Sequence, residues 1–242
     1  MKIAYITYEY PPEIDKGGIA TYTRQIAEIM CARGHQVHVF CASFIKSETN
    51  TEGAVTIHRI KTANPSEFTK AVLPVFSDIH FAFAFDLIEC PEIQANAIEI
   101  KKKFRDLPLV VRLHMAGFIQ QQLMRAYISP WQKFRFWFGS IRRGRWQTLG
   151  QYDRSNDPEY QFTMMADAIS APSQAQKEIT QKEWEIEEKK IKVIPNPFEP
   201  DDQYLQIPVQ KKTGKQVCFI GKLNTHKGIL TLTRAIPLVL KA

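Results

Sequence analysis

The fold is decided by residues 2–41, which read KIAYITYEYPPEIDKGGIATYTRQIAEIMCARGHQVHVFC. The opening apolar run, Lys2–Thr7, predicts a buried β-strand. Apolar residues then recur at helical spacing over Ile19–Arg33, and Gly34 supplies the left-handed residue with which helices commonly end. Gln36–Cys41 predicts a second strand. This order of strand, loop, helix and strand is typical of the start of an α/β fold.

Strand and helix patterns alternate along the chain as far as residue 194. Further strands are predicted at 55–60, 86–90, 108–113, 167–171 and 191–194, the first of them at an edge of the sheet. Helices are predicted at 67–82, 94–105, 157–166 and 173–187. Because strands that alternate with helices pair in parallel, the sequence predicts the α/β class with a Rossmann-like, doubly wound parallel sheet.

The chain is predicted to contain one complete domain and part of another. Residues 1–200 form the first domain, and residues 201–215 form a linker at the end of a stretch that lacks periodicity. Residues 216–242 hold a strand at 216–220 and a helix at 229–240, which are too few elements to bury a core. The second domain is therefore predicted to be truncated.

Composition narrows the class of protein. Hydrophobic residues make up 44% and charged residues 24% of the 242 residues, as in ordinary globular proteins. No apolar run reaches the roughly 18–20 residues of a membrane-spanning helix, and the amino terminus reads as a first strand rather than a signal peptide. The four cysteines are scattered without a C-x-x-C pair, which predicts reduced thiols, a cytoplasmic location and no metal site.

Three features fall at the carboxyl ends of predicted strands, where doubly wound sheets bind ligands. Gly17 and Gly18 precede the first helix, so they could bring backbone close to an anion or form a tight turn with positive φ. His114 follows a very apolar strand and could bind a substrate hydroxyl or be a structural histidine. Lys222 and Lys227 bracket a loop before a helix and could bind a pyrophosphate or be solvated surface lysines.

Taken in order, the motifs of this chain resemble retaining glycosyltransferases of family 4, which have the GT-B fold. The resemblance covers the whole chain, and its motifs are specific as a series although each is loose alone. They are YEYPPEIDKGGIATYTRQIAEIMCARGHQVHVF at 8–40, DLIECPE at 86–92, VVRLHMAG at 110–117, ADAISAPS at 166–173, VIPNPF at 193–198 and FIGKLNTHKG at 219–228.

The resemblance implies two Rossmann-like domains, with the acceptor on the amino-terminal domain and a nucleotide-sugar donor on the carboxyl-terminal one. Gly17 and Gly18 would approach the donor diphosphate or the acceptor, and His114 would be the catalytic residue that contacts the donor sugar. Lys222 and Lys227 would neutralise the leaving diphosphate without a metal ion or other cofactor. The reaction implied is transfer of a hexose-type sugar to a glycan or lipid-linked acceptor with retention of configuration.

The chain departs from the family pattern in three respects. Asn196-Pro197 stands where asparagine-glycine is usual, and Lys222 replaces an arginine, so bidentate contact with a phosphate is lost. The two glutamates that hold the ribose and assist the donor sugar in this family would lie beyond residue 242. The resemblance therefore implies that these 242 residues are inactive by themselves.

Two alternative functions follow from these departures. The chain could be a catalytically incompetent subunit of a split transferase that binds an acceptor, a membrane or a partner chain. It could also be a GT-B sugar-nucleotide epimerase, which the opening PPEIDKGGIATYTR disfavours. The apolar face of the helix at 229–240 is predicted to pack back on the first domain, to be covered by a second chain or a second copy, or to stay exposed.

The positive charge is concentrated in residues 107–152. The formal net charge of the chain is +7, and this segment holds seven basic residues and no acidic one. Residues 130–149, the basic aromatic segment, read PWQKFRFWFGSIRRGRWQTL and are predicted to be helical, with interruptions at Gly139 and Gly144. The predicted contact residues are Arg125, Trp131, Lys133, Arg135, Trp137, Arg142, Arg143 and Arg145.

A helix that carries aromatic and basic side chains is typical of contact with an anionic membrane surface. An amphipathic helix packed on its own domain is the alternative interpretation. Single-stranded nucleic acid also binds aromatic and basic residues, but no nucleic-acid-binding motif accompanies them, so no nucleic acid partner is predicted. The location expected is the cytoplasm, with peripheral attachment to the inner face of the membrane.

Overall fold

A computed structural model describes residues 1–14, 17–144, 152–198, 202–208, 217–224 and 227–240. Within them the strands are β1 Lys2–Thr7, β2 Gln36–Ser43, β3 Glu48–Glu52, β4 Val55–Lys61, β5 Leu87–Pro91, β6 Leu109–Arg112, β7 Ala168–Ala171 and β8 Ile191–Val193. They form one sheet in the order β3-β4-β2-β1-β5-β6-β7-β8. Every neighbouring pair is parallel except β3 and β4. The prediction of an α/β fold with a doubly wound sheet is confirmed.

Helices follow most of the strands, as the alternating pattern predicts. They are α1 Gly18–Ala32, α2 Pro65–Phe83, α3 Ile98–Lys103, α4 Gly117–Ala126, α5 Pro130–Arg142, α6 Pro158–Met164, α7 Gln174–Trp184, α8 Asp202–Leu205 and α9 Ile229–Val239. Local sequence sets several helix ends. Ser173 caps α7 by accepting a hydrogen bond from the Gln176 backbone N–H, and Gly34 follows α1 with a φ of +83°.

The centre of the sheet is built from the two strands quoted first. Ile3 pairs with Val37 and Tyr5 with Val39 in the parallel register of β1 and β2. These side chains are buried in one hydrophobic cluster, which Ala27 of α1 joins. Because central parallel strands are covered on both faces, they are apolar almost throughout, and that is why the sequence locates them well.

The edge of the sheet differs from the prediction. β4 lies between β2 and β3, so the prediction of an edge strand at 55–60 is wrong. The edge is β3, which pairs antiparallel with β4 through a tight turn at Gly53, whose φ is +61°. β3 reads ETNTE and is mostly exposed, so it carries no apolar pattern by which a sequence could reveal it.

The chain divides into two compact units, residues 1–116 with 154–199 and residues 117–153 with 200–242. The first unit contains the whole sheet. In the second, the hydroxyls of Tyr127, just after α4, and Thr231 of α9 lie 3.1 Å apart. The domain boundaries predicted at residues 200 and 215 remain predictions.

The second unit lacks one predicted strand. The sequence favours a strand at 216–220, but the described residues Val217–Ile220 have no regular structure and are largely exposed. A strand requires a neighbour to accept and donate its backbone hydrogen bonds, and the described part of this unit offers none. The predicted helix that follows is confirmed as α9.

Candidate active site

The candidate site lies where the winding of the sheet reverses. β1 has β2 on one side and β5 on the other, and ligands of doubly wound sheets usually bind beyond the carboxyl ends of such strands. A cavity of about 10 Å³ lies at this end, lined by residues that include Thr7, Tyr22, Glu89, Arg112 and His114. These residues come from β1, α1, β5 and the end of β6, so the fold assembles them from distant parts of the sequence.

The predicted glycine pair begins α1 at this end of the sheet. Gly17 precedes the helix with a φ of −171°, and Gly18 is its first residue. Neither has a positive φ, so the interpretation of the pair as a tight turn that requires one is wrong. A Cβ built on Gly17 would lie 3.6 Å from Oε2 of Glu9, and one on Gly18 would meet nothing within 4 Å. The backbone is therefore open to close approach at the positive end of the helix dipole.

His114 lies just after β6, and its ring packs against an aromatic neighbour without a hydrogen bond to any described residue. Its imidazole lies edge-on to the ring of Tyr22, with 5.1 Å between ring centroids and an interplanar angle of 78°. Neither ring nitrogen has a hydrogen-bond partner among the described residues. Burial, and to a smaller extent the positive charge of Arg112, lowers the pKa of His114 to about 3. The imidazole is therefore neutral near pH 7 and can both donate and accept a hydrogen bond.

Tyr22 and Glu89 form a hydrogen-bonded pair beneath this ring. The Tyr22 hydroxyl donates to Oε1 of Glu89 at 2.6 Å. Burial raises the pKa of Glu89, although the Tyr22 hydroxyl and the charge of Arg112 oppose this effect. Burial and Glu89 also raise the pKa of Tyr22, so its hydroxyl keeps its proton.

Arg112 connects this pair to the segment that follows β8. Its guanidinium carbon lies 4.7 Å from the centroid of the Tyr22 ring. Its two terminal nitrogens each donate at 2.6 Å, one to the backbone oxygen of Ile194 and the other to Oδ1 of Asn196. Nε has no partner among the described residues, although the side chain is almost fully buried. The Asn196-Pro197 departure from the family pattern thus leaves Asn196 with a defined contact.

Glu92 holds the backbone of the His114 loop. Both of its carboxylate oxygens accept from the backbone N–H of His114, at 2.8 and 2.9 Å. Burial raises the pKa of Glu92 to about 8, against the lowering effect of these backbone donors. The segment just beyond it is strained, because Gln94 and Ala95 have φ values of 63° and 49°.

The sequence predicts only part of this site. Tyr22, Glu89, Glu92 and Arg112 are absent from the residues predicted to be functional. The available signal was a charged residue within an apolar strand, since Glu89 interrupts DLIEC and Arg112 interrupts LVVRL. Ionisable side chains in such positions are rarely buried without a partner or a role.

Lys222 and Lys227 belong to the second unit, where both are exposed. The Lys227 backbone N–H donates to the backbone oxygen and to Oδ1 of Asn224, each at 3.2 Å. Gly228 follows with a φ of +81°, and α9 then begins. The helix therefore begins where the sequence predicts it, residues 225–226 of the loop lie outside the described residues, and the ligand of the two cations stays a prediction.

The described part of residues 107–152 includes α4 and α5. Ser129 and Gln132 make a capping box that begins α5, which runs through Gly139, so the predicted interruption there is wrong. Gly144 does follow the end of the helix, with a φ of +68°. Arg145, like Trp146, lies outside the described residues.

One side of α5 is an exposed aromatic stripe of Trp131, Phe134 and Phe138. Trp131 is 63% and Phe138 is 58% exposed. The ring of Phe134 lies 5.7 Å from that of Trp131 and 6.2 Å from that of Phe138, and both pairs are stacked. The predicted basic contact residues Lys133, Arg135, Arg142 and Arg143 are exposed on the same helix or at its end, and Trp137 is half-buried. Arg125 lies in the last turn of α4.

Two classes of site are not found in the described residues. They contain no group of three or more His, Cys, Asp or Glu side chains that could hold a metal ion. None of their helices combines the length and the apolar character that crossing a membrane demands. The cysteines are free thiols, of which Cys41 and Cys90 are buried.

Solved structures of low sequence identity share this fold. Sucrose-phosphate synthase from Thermosynechococcus elongatus is 16% identical, with a TM-score of 0.57 over 80% of this chain and 47% of its own. The catalytic domain of starch synthase IV from Arabidopsis thaliana is 12% identical, with a TM-score of 0.50 over 80% of this chain and 51% of its own. The chain shares its fold with these GT-B glycosyltransferases over about half of their length.

Sequence comparison gives the family. A model of Glycosyltransferase Family 4 matches residues 16–202, and the chain belongs to this family. An uncharacterised glycosyltransferase of Methanocaldococcus jannaschii is 23% identical over 261 residues, which cover 100% of this chain and 60% of the relative. The chain thus spans 60% of the length of this curated relative. The resemblance to family 4 is confirmed.

Proposed function

We propose that this chain is the acceptor-side part of a transferase that moves a hexose-type sugar from a nucleotide-sugar donor to a glycan or lipid-linked acceptor. The observation that carries the proposal is a neutral His114 whose ring nitrogens have no described partner, at the ligand-binding end of a family 4 fold. The starch synthase neighbour was solved with ADP and acarbose bound, which supports a nucleotide and a carbohydrate as the ligand classes.

His114 is proposed to contact the donor sugar. A neutral imidazole can donate to one hydroxyl oxygen and accept from another hydroxyl, so it can bind and orient a sugar without competing for a proton. Gly17 and Gly18 place open backbone at the N-terminus of α1, which suits the donor diphosphate or a polar part of the acceptor.

The proposed reaction is a front-face displacement that retains configuration. The bond between the anomeric carbon and the diphosphate oxygen breaks, and the acceptor hydroxyl oxygen bonds to the same face of that carbon. The hydroxyl proton passes to the departing diphosphate. Lys222 and Lys227 are proposed to neutralise the charge that develops on the diphosphate, in the role that a metal ion has in other transferases.

The proposal treats this chain as incomplete, because it spans 60% of the archaeal relative. We propose that residues 1–242 do not catalyse transfer by themselves. The alternative is a binding subunit of a split transferase, which would bind an acceptor or a partner chain and would never turn over a donor. The two proposals differ in whether activity appears once a donor half is supplied.

The test compares the chain with a version extended by the part of the archaeal relative beyond the matched region. Both are incubated with radiolabelled UDP-, GDP- and ADP-hexoses and with oligosaccharide and polyprenyl-linked acceptors. We expect transfer only by the extended chain, and a loss of about 100-fold on His114→Ala. His35→Ala, at a half-buried histidine at the other end of the sheet, is the matched control.

Each outcome separates the candidates. Transfer by residues 1–242 alone would refute the proposal that they are inactive. Full activity of the extended His114→Ala variant would refute the role of His114. Acceptor binding by the chain without transfer by either version would favour the binding subunit.

We also propose that α5 attaches the protein to the inner, cytoplasmic face of a membrane through anionic lipid. The exposed aromatic stripe and the basic residues of α5 support this, because aromatic rings suit the interface and each nearby cation adds about 1 kcal/mol of attraction to anionic lipid. Sedimentation with vesicles of phosphatidylglycerol or of phosphatidylcholine tests it. We expect pelleting only with phosphatidylglycerol, weakened by salt and by the triple change of Trp131, Phe134 and Phe138 to Ala.

The matched control is Phe81→Ala, because Phe81 is an exposed aromatic residue of the first unit beside Lys103. If the control and the triple variant lose pelleting equally, or if the unmodified chain stays in the supernatant at low salt, α5 is not the attachment site.

The apolar face of α9 is proposed to be covered by a second chain or a second copy. Ile236, Val239 and Leu240 are all exposed, and Leu240 is 81% exposed. Light scattering tests this proposal through the mass of the particle in solution. A dimer that Val239→Glu converts to a monomer supports a second copy; a monomer in both cases excludes it.

A further inference from the structure

Glu92 makes a contact that the proposed reaction does not use. It follows β5, is fully buried, and presents both carboxylate oxygens to the backbone N–H of His114. The backbone N–H of the next residue, Met115, also lowers the pKa of this carboxyl group. A carboxyl group whose two oxygens both lie within hydrogen-bond distance of one backbone N–H fixes the position of that piece of backbone.

The segment around Glu92 is itself held from two sides. The backbone N–H of Glu92 donates to the backbone oxygen of Arg112 at 3.3 Å. The backbone N–H of Gln94 donates to Oε1 of Glu159 on α6, also at 3.3 Å. Gln94 and Ala95 remain at positive φ between these contacts. Backbone strain of this kind persists only where the surroundings impose it, and it clusters at functional sites.

The ring of His114 is constrained separately from its backbone. Tyr22 presents its ring to the imidazole, and the Tyr22 hydroxyl is tied to Glu89. Glu92 touches only the backbone of the loop, and Tyr22 only the ring. With both constraints in place, the ring nitrogens keep one direction and remain without a described partner.

We propose that Glu92 is a positioning residue, which holds the loop after β6 so that the His114 imidazole meets a sugar hydroxyl at the correct distance and angle. The inference rests on the proposed contact between His114 and the donor sugar. Glu92 does not touch the substrate in this proposal and acts through the backbone of His114. The competing view is that Glu92 only stabilises the fold.

Asp167 provides the matched control, because it makes a similar contact at the other end of the same strand. Its Oδ2 accepts from the backbone N–H of Leu109 at 2.8 Å and from Nζ of Lys101 at 2.9 Å. Asp167→Asn therefore weakens a carboxylate-to-backbone contact of β6 without altering the candidate site.

The experiment records the imidazole NMR signals of His114 in the chain labelled with ¹⁵N-histidine. The variants are Glu92→Ala, Glu92→Gln, which keeps the shape and one accepting oxygen, and Asp167→Asn. We expect the chemical shifts of the His114 ring nitrogens to change in Glu92→Ala, because the ring leaves its place beside the Tyr22 ring. The change in Glu92→Gln should be smaller. In Asp167→Asn the chemical shifts stay in place while the melting temperature falls.

The Gln variant keeps the test decisive if Glu92→Ala does not fold. Unchanged His114 signals in folded Glu92→Gln, or equal movement in Asp167→Asn, would overturn the inference. The NMR result does not depend on catalysis, so failure of the proposed function appears elsewhere, as transfer that His114→Ala leaves intact.

Kinetics of the extended chain complete the test. Misplacement of a reacting group by about 1 Å can cost about 100-fold in rate, so we expect kcat to fall about 10- to 100-fold in Glu92→Gln with KM nearly unchanged. Asp167→Asn should leave both constants near those of the parent. If Glu92→Gln lowers the melting temperature but leaves kcat unchanged, Glu92 only stabilises the fold and is not a positioning residue.

Discussion

The two ends of the sheet differ in how deeply their carboxyl groups are buried. At the carboxyl end, Glu92 and Arg112 are almost completely buried, and burial raises the pKa of Glu92 to about 8. At the amino end, the carboxylates lie near water with simple partners. Asp86 accepts from the backbone N–H of Lys2 at 2.7 Å, and Asp167 pairs with Lys101.

This difference separates stability from function within one sheet. Charges near water add a little stability and cost little to keep. Buried charges are costly to desolvate, and their pKa shifts are typical of sites that carry out chemistry. The carboxyl end therefore contains the buried ionisable groups expected of a functional site, and the neutral His114 lies among them.

The largest expected effect is the loss of the Arg112 guanidinium. Arg112→Met removes two charge-assisted hydrogen bonds, leaves the oxygens of Ile194 and Asn196 without their donor, and takes a positive charge from beside Glu89. We expect the free energy of unfolding to fall by about 3–5 kcal/mol, measured by urea denaturation. Asp86→Asn, at the amino end, should cost about 1 kcal/mol or less.

Equal losses in these two variants would contradict the comparison, because burial would then not distinguish the two ends. A loss in Arg112→Met that is smaller than the loss in Asp86→Asn would show that the buried guanidinium contributes no net stability.

The centre of the sheet could be predicted from sequence, because a strand covered on both faces must be apolar along its length. β1, β2 and β6 are therefore visible as Val- and Ile-rich runs. β3 was not predicted, because an edge strand with polar residues on both faces has no such pattern. The strand predicted at 216–220 failed for the opposite reason: its residues are apolar, but the described part of its unit has no neighbouring strand.

The sequence predicted only those site residues whose type and position at a strand end suggest a function without knowledge of their contacts. His114 and the glycine pair stand at strand ends, and that position can be inferred from sequence. The role of Glu92 depends on its contact with His114, 22 residues further along, which exists only once β5 and β6 lie side by side. Local pattern cannot reveal such a contact. The half-buried Glu89 and the buried Arg112 could have been suspected from the charges within apolar strands.

The second prediction concerns the pH dependence of stability at the carboxyl end. The pKa of His114 is lowered from an ordinary value of 6.5 to about 3, so the folded chain binds fewer protons than the unfolded chain. The stability associated with the neutral ring is fully present above about pH 6.5 and is lost as the pH falls towards 3. We expect the advantage of the parent over His114→Gln to shrink by about 2 kcal/mol between pH 7 and pH 4, after allowance for partial exposure of the ring.

Urea denaturation of both proteins at several pH values measures this difference. If the free energies of unfolding of the two proteins change in parallel from pH 7 to pH 4, the pKa of His114 is the same in the folded and the unfolded chain.

The smallest expected effect comes from single substitutions of two glycines, Gly34 at the amino end of the sheet and Gly17 at its carboxyl end. Gly34 precedes β2 at the amino end with a φ of +83°, so Gly34→Ala should lower the free energy of unfolding by about 1 kcal/mol through backbone strain. Gly17, at the carboxyl end, has an extended φ of −171°, and a Cβ there would make only ordinary contact with Glu9 at 3.6 Å. Gly17→Ala should therefore change stability by less than about 0.5 kcal/mol.

For sugar transfer we expect the opposite order, with the larger effect from Gly17→Ala and the smaller from Gly34→Ala. In the chain extended by a donor half, Gly17→Ala should lower kcat/KM about tenfold, because the added methyl group keeps a ligand from the backbone at the start of α1. Gly34→Ala should leave kcat/KM unchanged, since Gly34 lies at the opposite end of the sheet from His114. Urea denaturation and transfer assays on the same two proteins give all four values. If Gly17→Ala transfers sugar as well as the parent, the glycine pair does not serve close approach, and the carboxyl end owes its proposed chemistry to His114 and its supports alone.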